Sequence, residues 1–292
     1  MRTGPVQHTG RRGRTPSVTD PRALPSARRA SAALLLGAVL CATLAVPGAV
    51  HAQDNYEIQV YGSDLVPSGV TMMELHSNFT FRGSTTSADG LLPTNHALHE
   101  TVEITHGFSD WLEVGFYIFT SARDGNGWDW VGDHIRPRIS IPAKWHWPIG
   151  LSLSQEIGYQ RRAYSPDTWT WEIRPIVDQQ LGRWYWSVNP ALERSLRGEG
   201  TGNGFEFAPN AQVTFAVTPK VTGALEYYGS FGPLRRFDPL SETEQQIFPA
   251  VNLDLGPEWE FNAGVGFGLT NATDHLLVKM ILGYRLGRPP KN

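Results

Sequence analysis

Trp259-Glu-Phe-Asn-Ala-Gly-Val-Gly-Phe-Gly-Leu269 repeats with a period of two. Trp259, Phe261, Ala263, Val265, Phe267 and Leu269 are apolar, while Glu260, Asn262, Gly264, Gly266 and Gly268 are polar or lack a side chain. Successive residues of an extended strand point to opposite faces, so this stretch is a strand with one greasy and one polar side. The next stretch behaves alike: Leu276, Val278, Met280, Leu282, Tyr284 and Leu286 alternate with Leu277, Lys279, Ile281, Gly283 and Arg285. Upstream, Leu112, Val114, Phe116 and Ile118 oppose Glu113, Gly115, Tyr117 and Ser121.

The same alternation recurs along the chain, broken by Gly, Pro, Asp and Asn clusters. It predicts twelve strands at 70–82, 96–107, 111–122, 130–141, 149–160, 167–178, 184–195, 204–216, 220–231, 246–255, 259–270 and 275–286. Each is near the roughly 9–11 residues that cross a bilayer at a tilt. Tight joints at Phe108-Ser-Asp, Gly182-Arg, Thr218-Pro219 and Gly256-Pro-Glu alternate with longer ones such as 83–95, 123–129, 161–166, 196–203 and 232–245. Short turns at one end and long loops at the other are the pattern of an outer-membrane barrel.

A soluble barrel shows the same alternation with its apolar face inward. Two features favour the apolar face outward. The opposite face carries charge in nearly every strand. The tryptophans fall at strand ends: Trp111, Trp145, Trp147, Trp184, Trp186 and Trp259 near short turns, Trp128, Trp130, Trp169 and Trp171 near long loops. Indole favours the headgroup region, so two aromatic belts fit a bilayer. Against this, Pro137, Pro175, Pro190, Pro209 and Pro249 lie inside predicted strands, where each removes a ladder donor and calls for a bulge or a break.

Composition agrees. Of 292 residues, 40% are hydrophobic and 18% charged, too apolar for a disordered chain. A mean hydropathy of −0.28 excludes a multi-helix membrane protein but not a barrel, which exposes only alternate residues to lipid. One Cys excludes a disulfide scaffold, and a formal net charge of −3 argues against nucleic acid as a partner. The first residues carry Arg2, Arg11, Arg12, Arg14, Arg22, Arg28 and Arg29, then an apolar run from Ala32 to Val46, then Val50-His51-Ala52. Basic region, apolar region and small-x-small exit read as a secretory signal cleaved after Ala52. The expected organisation is therefore a signal at 1–52, a periplasmic segment at 53–69, a transmembrane barrel at 70–286 and a tail at 287–292.

The wording of Glu103-Ile-Thr-His-Gly-Phe-Ser-Asp-Trp-Leu-Glu-Val-Gly115 and Gly256-Pro-Glu-Trp-Glu-Phe-Asn-Ala-Gly-Val-Gly266 resembles a poorly characterised outer-membrane family associated with the MetA pathway of phenol degradation. The resemblance spans roughly 70–286 and rests on hairpin style rather than a catalytic motif. Outer-membrane barrels of this kind commonly end on an aromatic residue read by the insertion machinery; here Gly287-Arg-Pro-Pro-Lys-Asn292 trails the last strand.

The register places Glu74, His76, His99, Glu103, Glu113, His134, Arg136, Arg138, Glu156, Glu172, Arg174, Asp178, Glu193, Glu206, Glu226, Asp254, Glu260, Lys279 and Arg285 on the interior. They form either a wall network that fills a structural barrel or the lining of a narrow pore, and their excess of acids favours cations. Catalysis needs a nucleophile, a base and an orienting group within reach. His76, His99, His106, His134 and His275 with Ser77, Ser140 and Ser154 give no such set, so no catalytic residue is assigned. His96-x-x-His99-Glu100 is poorly placed for one ion on a strand, because residues three apart face opposite sides. Asp124-Gly-Asn-Gly-Trp-Asp129 lacks the terminal acid of a calcium loop. No metal or cofactor is expected. The expected partners are outer-membrane lipid, the barrel-assembly machinery and small solutes. The reading is a narrow porin-like channel or a structural barrel in the bacterial outer membrane; the alternatives are an outer-membrane lipid or ester hydrolase and a soluble periplasmic ligand-binding barrel.

Overall fold

The computed structural model describes residues 56–125 and 127–287. The signal expected at 1–52 and all but the first residue of the tail lie outside the described residues. Twelve strands follow in chain order: β1 (Thr71–Arg82), β2 (Leu98–Gly107), β3 (Leu112–Arg123), β4 (Gly127–Ser140), β5 (Gly150–Gln160), β6 (Asp167–Leu181), β7 (Trp184–Gly198), β8 (Phe205–Thr218), β9 (Val221–Ser230), β10 (Glu244–Leu253), β11 (Trp259–Gly268) and β12 (Leu276–Leu286). Each pairs antiparallel with the next, and β12 pairs with β1 to close the barrel. Closure leaves no unpaired sheet edge. Among the described residues, no helix is long and apolar enough to cross a membrane.

Every expected strand is present, with ends displaced by a few residues at most. The third joint is the main departure. Expected as a seven-residue loop, it is a tight turn, because the ladder runs on to Arg123↔Gly127 and draws Trp128 and Asp129 into β4. Gly125 supplies a positive φ of 85° there.

The polarity of the wall is inverted relative to a soluble protein. Phe116 pairs laterally with Ile104 and Ile135, and all three are exposed on the outer face. Met73, Leu75, Val102, Ile118 and Val265 are exposed in the same way. His76, Glu103, Glu113, Arg136 and Lys279, on the alternate positions, are buried in the interior. Two apolar clusters also sit inside: Ile58, Val60, Tyr228, Phe248 and Leu277 in one, Tyr56, Tyr117, Phe119 and Val131 in the other.

The in-strand prolines need neither bulges nor broken strands. The β4–β5 ladder lapses between Ile135↔Ile157 and Arg138↔Ser154, around Pro137, with no change of register. It lapses likewise around Pro175 between β6 and β7, and around Pro249 between β10 and β11. Pro190 and Pro209 face each other in the β7–β8 ladder. At the three lapses, a short local loss of pairing on one side absorbs the missing donor, while the other neighbour holds the strand in place. The bulges lie elsewhere, near strand ends, as between Thr80 and Arg82 and between Ala216 and Thr218.

The segment before β1 departs from expectation. Read as periplasmic, it lies inside the barrel from Tyr56 to Val66, with Tyr56, Ile58, Val60 and Tyr61 buried. Its short alternation, apolar Ile58 and Val60 between polar Glu57 and Gln59, suits an extended chain held by a polar wall on one side and by Tyr228, Phe248 and Leu277 on the other.

Candidate functional site

The candidate site is the lumen, and the inserted segment organises it. An extended chain with no partner strand must satisfy its backbone groups some other way. Here wall side chains do so. At the short-turn end, Val66 N–H donates to Glu113 Oε2 at 2.6 Å and Ser63 N–H to Asp178 Oδ2 at 2.6 Å. Arg138 donates to the carbonyls of Gly62 at 2.9 Å and Asp64 at 2.8 Å, and Ser140 to that of Ser63 at 2.7 Å. Further in, Tyr61 N–H donates to Asn189 Oδ1 at 2.8 Å, and Ser187 donates to the Tyr61 carbonyl at 2.6 Å. Gln212 serves the Val60 carbonyl at 2.9 Å, Lys279 that of Ile58 at 2.9 Å and Thr101 that of Tyr56 at 2.7 Å. The segment thus runs up the barrel from the short-turn mouth toward the long-loop end.

Tyr61 is the centre of this arrangement. The guanidinium carbons of Arg136, Arg174 and Arg138 stand 4.4, 5.2 and 5.4 Å from its ring centroid. Cations over an aromatic face are attracted by its quadrupole. The Tyr61 hydroxyl meets Glu57 and lies 3.2 Å from the Tyr117 hydroxyl.

The charges expected on the interior are distributed among the wall and this segment. Arg136 pairs with Glu103 at 2.6 Å and Glu113 at 3.6 Å, and Arg138 with Glu113 at 2.7 Å. Arg174 pairs with Glu172 at 2.6 Å, Arg285 with Glu260 at 3.3 Å, and Lys279 with Glu226. His134 Nδ1 lies 2.5 Å from Glu156 Oε1. His76 Nε2 is 3.4 Å from Glu103 Oε2, and Glu74 stands opposite Glu103 in the β1–β2 ladder. His99 is buried edge-on against Tyr56, with ring centroids 4.6 Å apart. Glu206 accepts from Asn203 at 2.8 Å, and Glu193 is exposed. Asp254 is a correction: β10 ends at Leu253, and Asp254 is an exposed turn residue accepting from Gly256 N–H at 3.0 Å. Gly256-Pro-Glu, with Gly256 at φ 114°, starts the turn earlier than alternation alone indicates.

Two features escaped the sequence reading. One is the segment itself, whose few alternating residues resemble any short strand. The other is a row of carboxylates: Glu156, Glu172, Glu193 and Glu206 are consecutive lateral neighbours across β5, β6, β7 and β8. Aligning the expected strands by their tight turns offers a route to that row.

The tryptophans lie at strand ends and adjoining turns. Trp111, Trp128, Trp130, Trp145, Trp147, Trp169, Trp184 and Trp259 are exposed, and Trp171 and Trp186 are half-buried. The glycines of β11 make room inside. A Cβ on Gly266 would lie 2.2 Å from Phe248 Cζ, so the bare strand accommodates a fully buried ring.

The other motifs do not assemble. His96 sits in a loop at φ 57°, while His99 faces inward and Glu100 outward, receiving the Ser77 hydroxyl at 2.7 Å. Asp129 accepts from the Tyr164 hydroxyl at 2.7 Å. Burial and that carboxylate together push the Tyr164 hydroxyl above its ordinary value. Tyr164 packs on the Tyr56–Phe119 cluster, and its loop joins the β1–β2 loop through Leu92 N–H donating to the Ala163 carbonyl at 2.8 Å. Toward the short-turn end, beside the segment, a cavity of about 480 Å³ remains, lined by Glu74, Glu103, Glu113, Glu260, Arg138 and Arg285 among others.

No family model and no curated protein matches the chain. Among solved structures it is similar to the KdgM porin, at 7% identity and a TM-score of 0.48, and to the NanC porin, at 8% and 0.46; both alignments cover 74% of this chain and 99% of the other. It is also similar to the translocator domain of autotransporter NalP from Neisseria meningitidis, at 10% identity and a TM-score of 0.39, covering 89% of this chain and 98% of that one. At these scores the likeness says nothing about activity.

Proposed function

We propose that the chain is an integral protein of the bacterial outer membrane, a narrow, cation-preferring, porin-like channel in which residues 56–66 form the constriction. The observation that carries this reading is the closed twelve-stranded wall with its apolar side chains outward and its ionisable ones inward. Such a surface needs a lipid solvent, and closure leaves no sheet edge open to it, the ladders lapsing only locally beside the prolines. Tryptophans at both rims suit the two interfaces of that bilayer. The cavity beside the segment supplies an aqueous path over part of the length, and the Glu156–Glu206 row supplies negative charge toward the long-loop end. Outer-membrane lipid and the barrel-assembly machinery are the partners this reading requires. The hairpin wording at 103–115 and 256–266 supports kinship with the phenol-degradation-associated family.

The hydrolase reading gains little from the geometry. His134 is engaged with Glu156, and Ser154 lies four residues along β5 from Gly158, the lateral neighbour of His134. Planar-bilayer recording on refolded protein tests the channel. Small, cation-selective steps are expected from the mature chain, and larger ones after deletion of 53–66. Electrical silence from both, with heat-modifiable gel migration intact, leaves a purely structural barrel and removes the channel.

A further inference from the structure

Glu74 and Glu103 stand directly opposite each other in the β1–β2 ladder, and both are buried on the interior face. Like charges in that relation repel, and low dielectric strengthens the repulsion. Glu103 is half satisfied: its Oε1 accepts from Arg136 Nη2 at 2.6 Å and from Thr105 Oγ1 at 2.6 Å. Its Oε2 is buried without a hydrogen-bond partner, and so is Glu74 Oε1. His76, two residues beyond Glu74 on the same face, is fully buried, and neither ring nitrogen has a hydrogen-bond partner. These atoms, none of them in a well-formed hydrogen bond, converge. His76 Nε2 is 3.4 Å from Glu103 Oε2, and one donor atom from each of the three residues lies within 4.8 Å of the others. Ligands at about 2.0–2.1 Å from a tetrahedral ion stand about 3.4 Å apart.

We propose that Glu74, His76 and Glu103 bind one divalent cation of the late first row, of which Zn²⁺ is the type. Such an ion neutralises the opposed carboxylates and gives the unpartnered oxygens and the imidazole a common partner. An imidazole with two carboxylates suits Zn²⁺ and its neighbours, whereas Mg²⁺ and Ca²⁺ favour all-oxygen sets. Arg136 and Thr105, by holding Oε1 of Glu103, leave Oε2 free and fix the plane of the carboxylate. Glu74 and Glu103 both line the cavity, which supplies an entry path and room for water as a fourth ligand. The ion then ties β1 to β2 inside the wall. The site does not depend on whether the barrel conducts.

The probe is ZnCl₂ alone, titrated calorimetrically into refolded protein stripped with EDTA. One tight equivalent per chain is expected, weakened at least about tenfold by H76Q and by E74Q. It should persist in H96Q/H146Q/H275Q, which removes exposed histidines. Because interior variants can fail to refold, the zinc X-ray absorption edge of the wild-type protein with one equivalent bound gives a second readout. One imidazole with oxygen ligands at about 2.0–2.1 Å is expected. A folded wild-type protein without a tight equivalent, a tight equivalent that survives H76Q, or a first shell with two imidazoles overturns the assignment.

Discussion

Replacing Phe116 by Arg tests which solvent the outer face meets. Phe116 is the fifth residue of β3 and 44% exposed, flanked by exposed Ile104 and Ile135. Four residues separate it from Leu112 at the short-turn end, about 13 Å along the strand at roughly 3.3 Å per residue. With a tilt of about 40°, that is about 10 Å along the barrel axis. In an apolar band about 25 Å tall, the side chain lies close to the midplane, where an added Arg costs about 2–4 kcal/mol. The folding equilibrium should fall roughly 30- to 700-fold, since about 1.4 kcal/mol is a factor of ten. Ile139→Arg is the matched control. Ile139 is the lateral neighbour of Leu112, also outward and 45% exposed, but at the rim, where the cost is about 0–1 kcal/mol. Urea titrations of folding into lipid vesicles, read by heat-modifiable migration and Trp emission, measure both. If the outer face meets water, each is a surface change of about 0.5 kcal/mol or less. Equal, small effects at the two positions would refute the inside-out assignment.

Lys279→Met should cost about 3–5 kcal/mol, because it strands the buried Glu226 carboxylate, and adding E226Q should restore most of the loss in the same urea titration. Gly266→Ala should cost about 1–3 kcal/mol through its contact with Phe248, and F248A in the same chain should relieve it; additive losses in a double-mutant cycle would remove the contact as the cause.

The wall was legible because a barrel strand writes its environment into every second residue. Val265 against Gly266, and Phe116 against Tyr117, carry the signal without help from distant parts of the chain. The prolines stand on the outward face, and the local lapses that tolerate them, rather than the bulges or breaks expected, are visible only in the ladders. What alternation does not encode is occupancy. Ile58 and Val60 carry the same two-residue pattern as a short strand, and their surroundings depend on Lys279, Gln212 and Tyr228, more than a hundred residues away. The same holds for the Glu74–His76–Glu103 cluster. Glu74 and His76 are neighbours in sequence, but Glu103 joins them only through the β1–β2 register, and nothing local marks which inward carboxylates end up opposed. Asp254 failed for a local reason, since a turn residue continues the alternation by accident.

The threading of 56–66 constrains the order of assembly. The segment leads directly into β1, and β1 is one side of the seam that β12 completes. Once that seam zips, the leading end can reach its berth only by being pulled lengthwise through a crowded bore, past the three arginines around Tyr61. Laying it down while the two edges are still apart avoids that passage. Assembly of this barrel is then a wrapping event, in which residues 56–66 serve as the mandrel on which the cylinder is rolled.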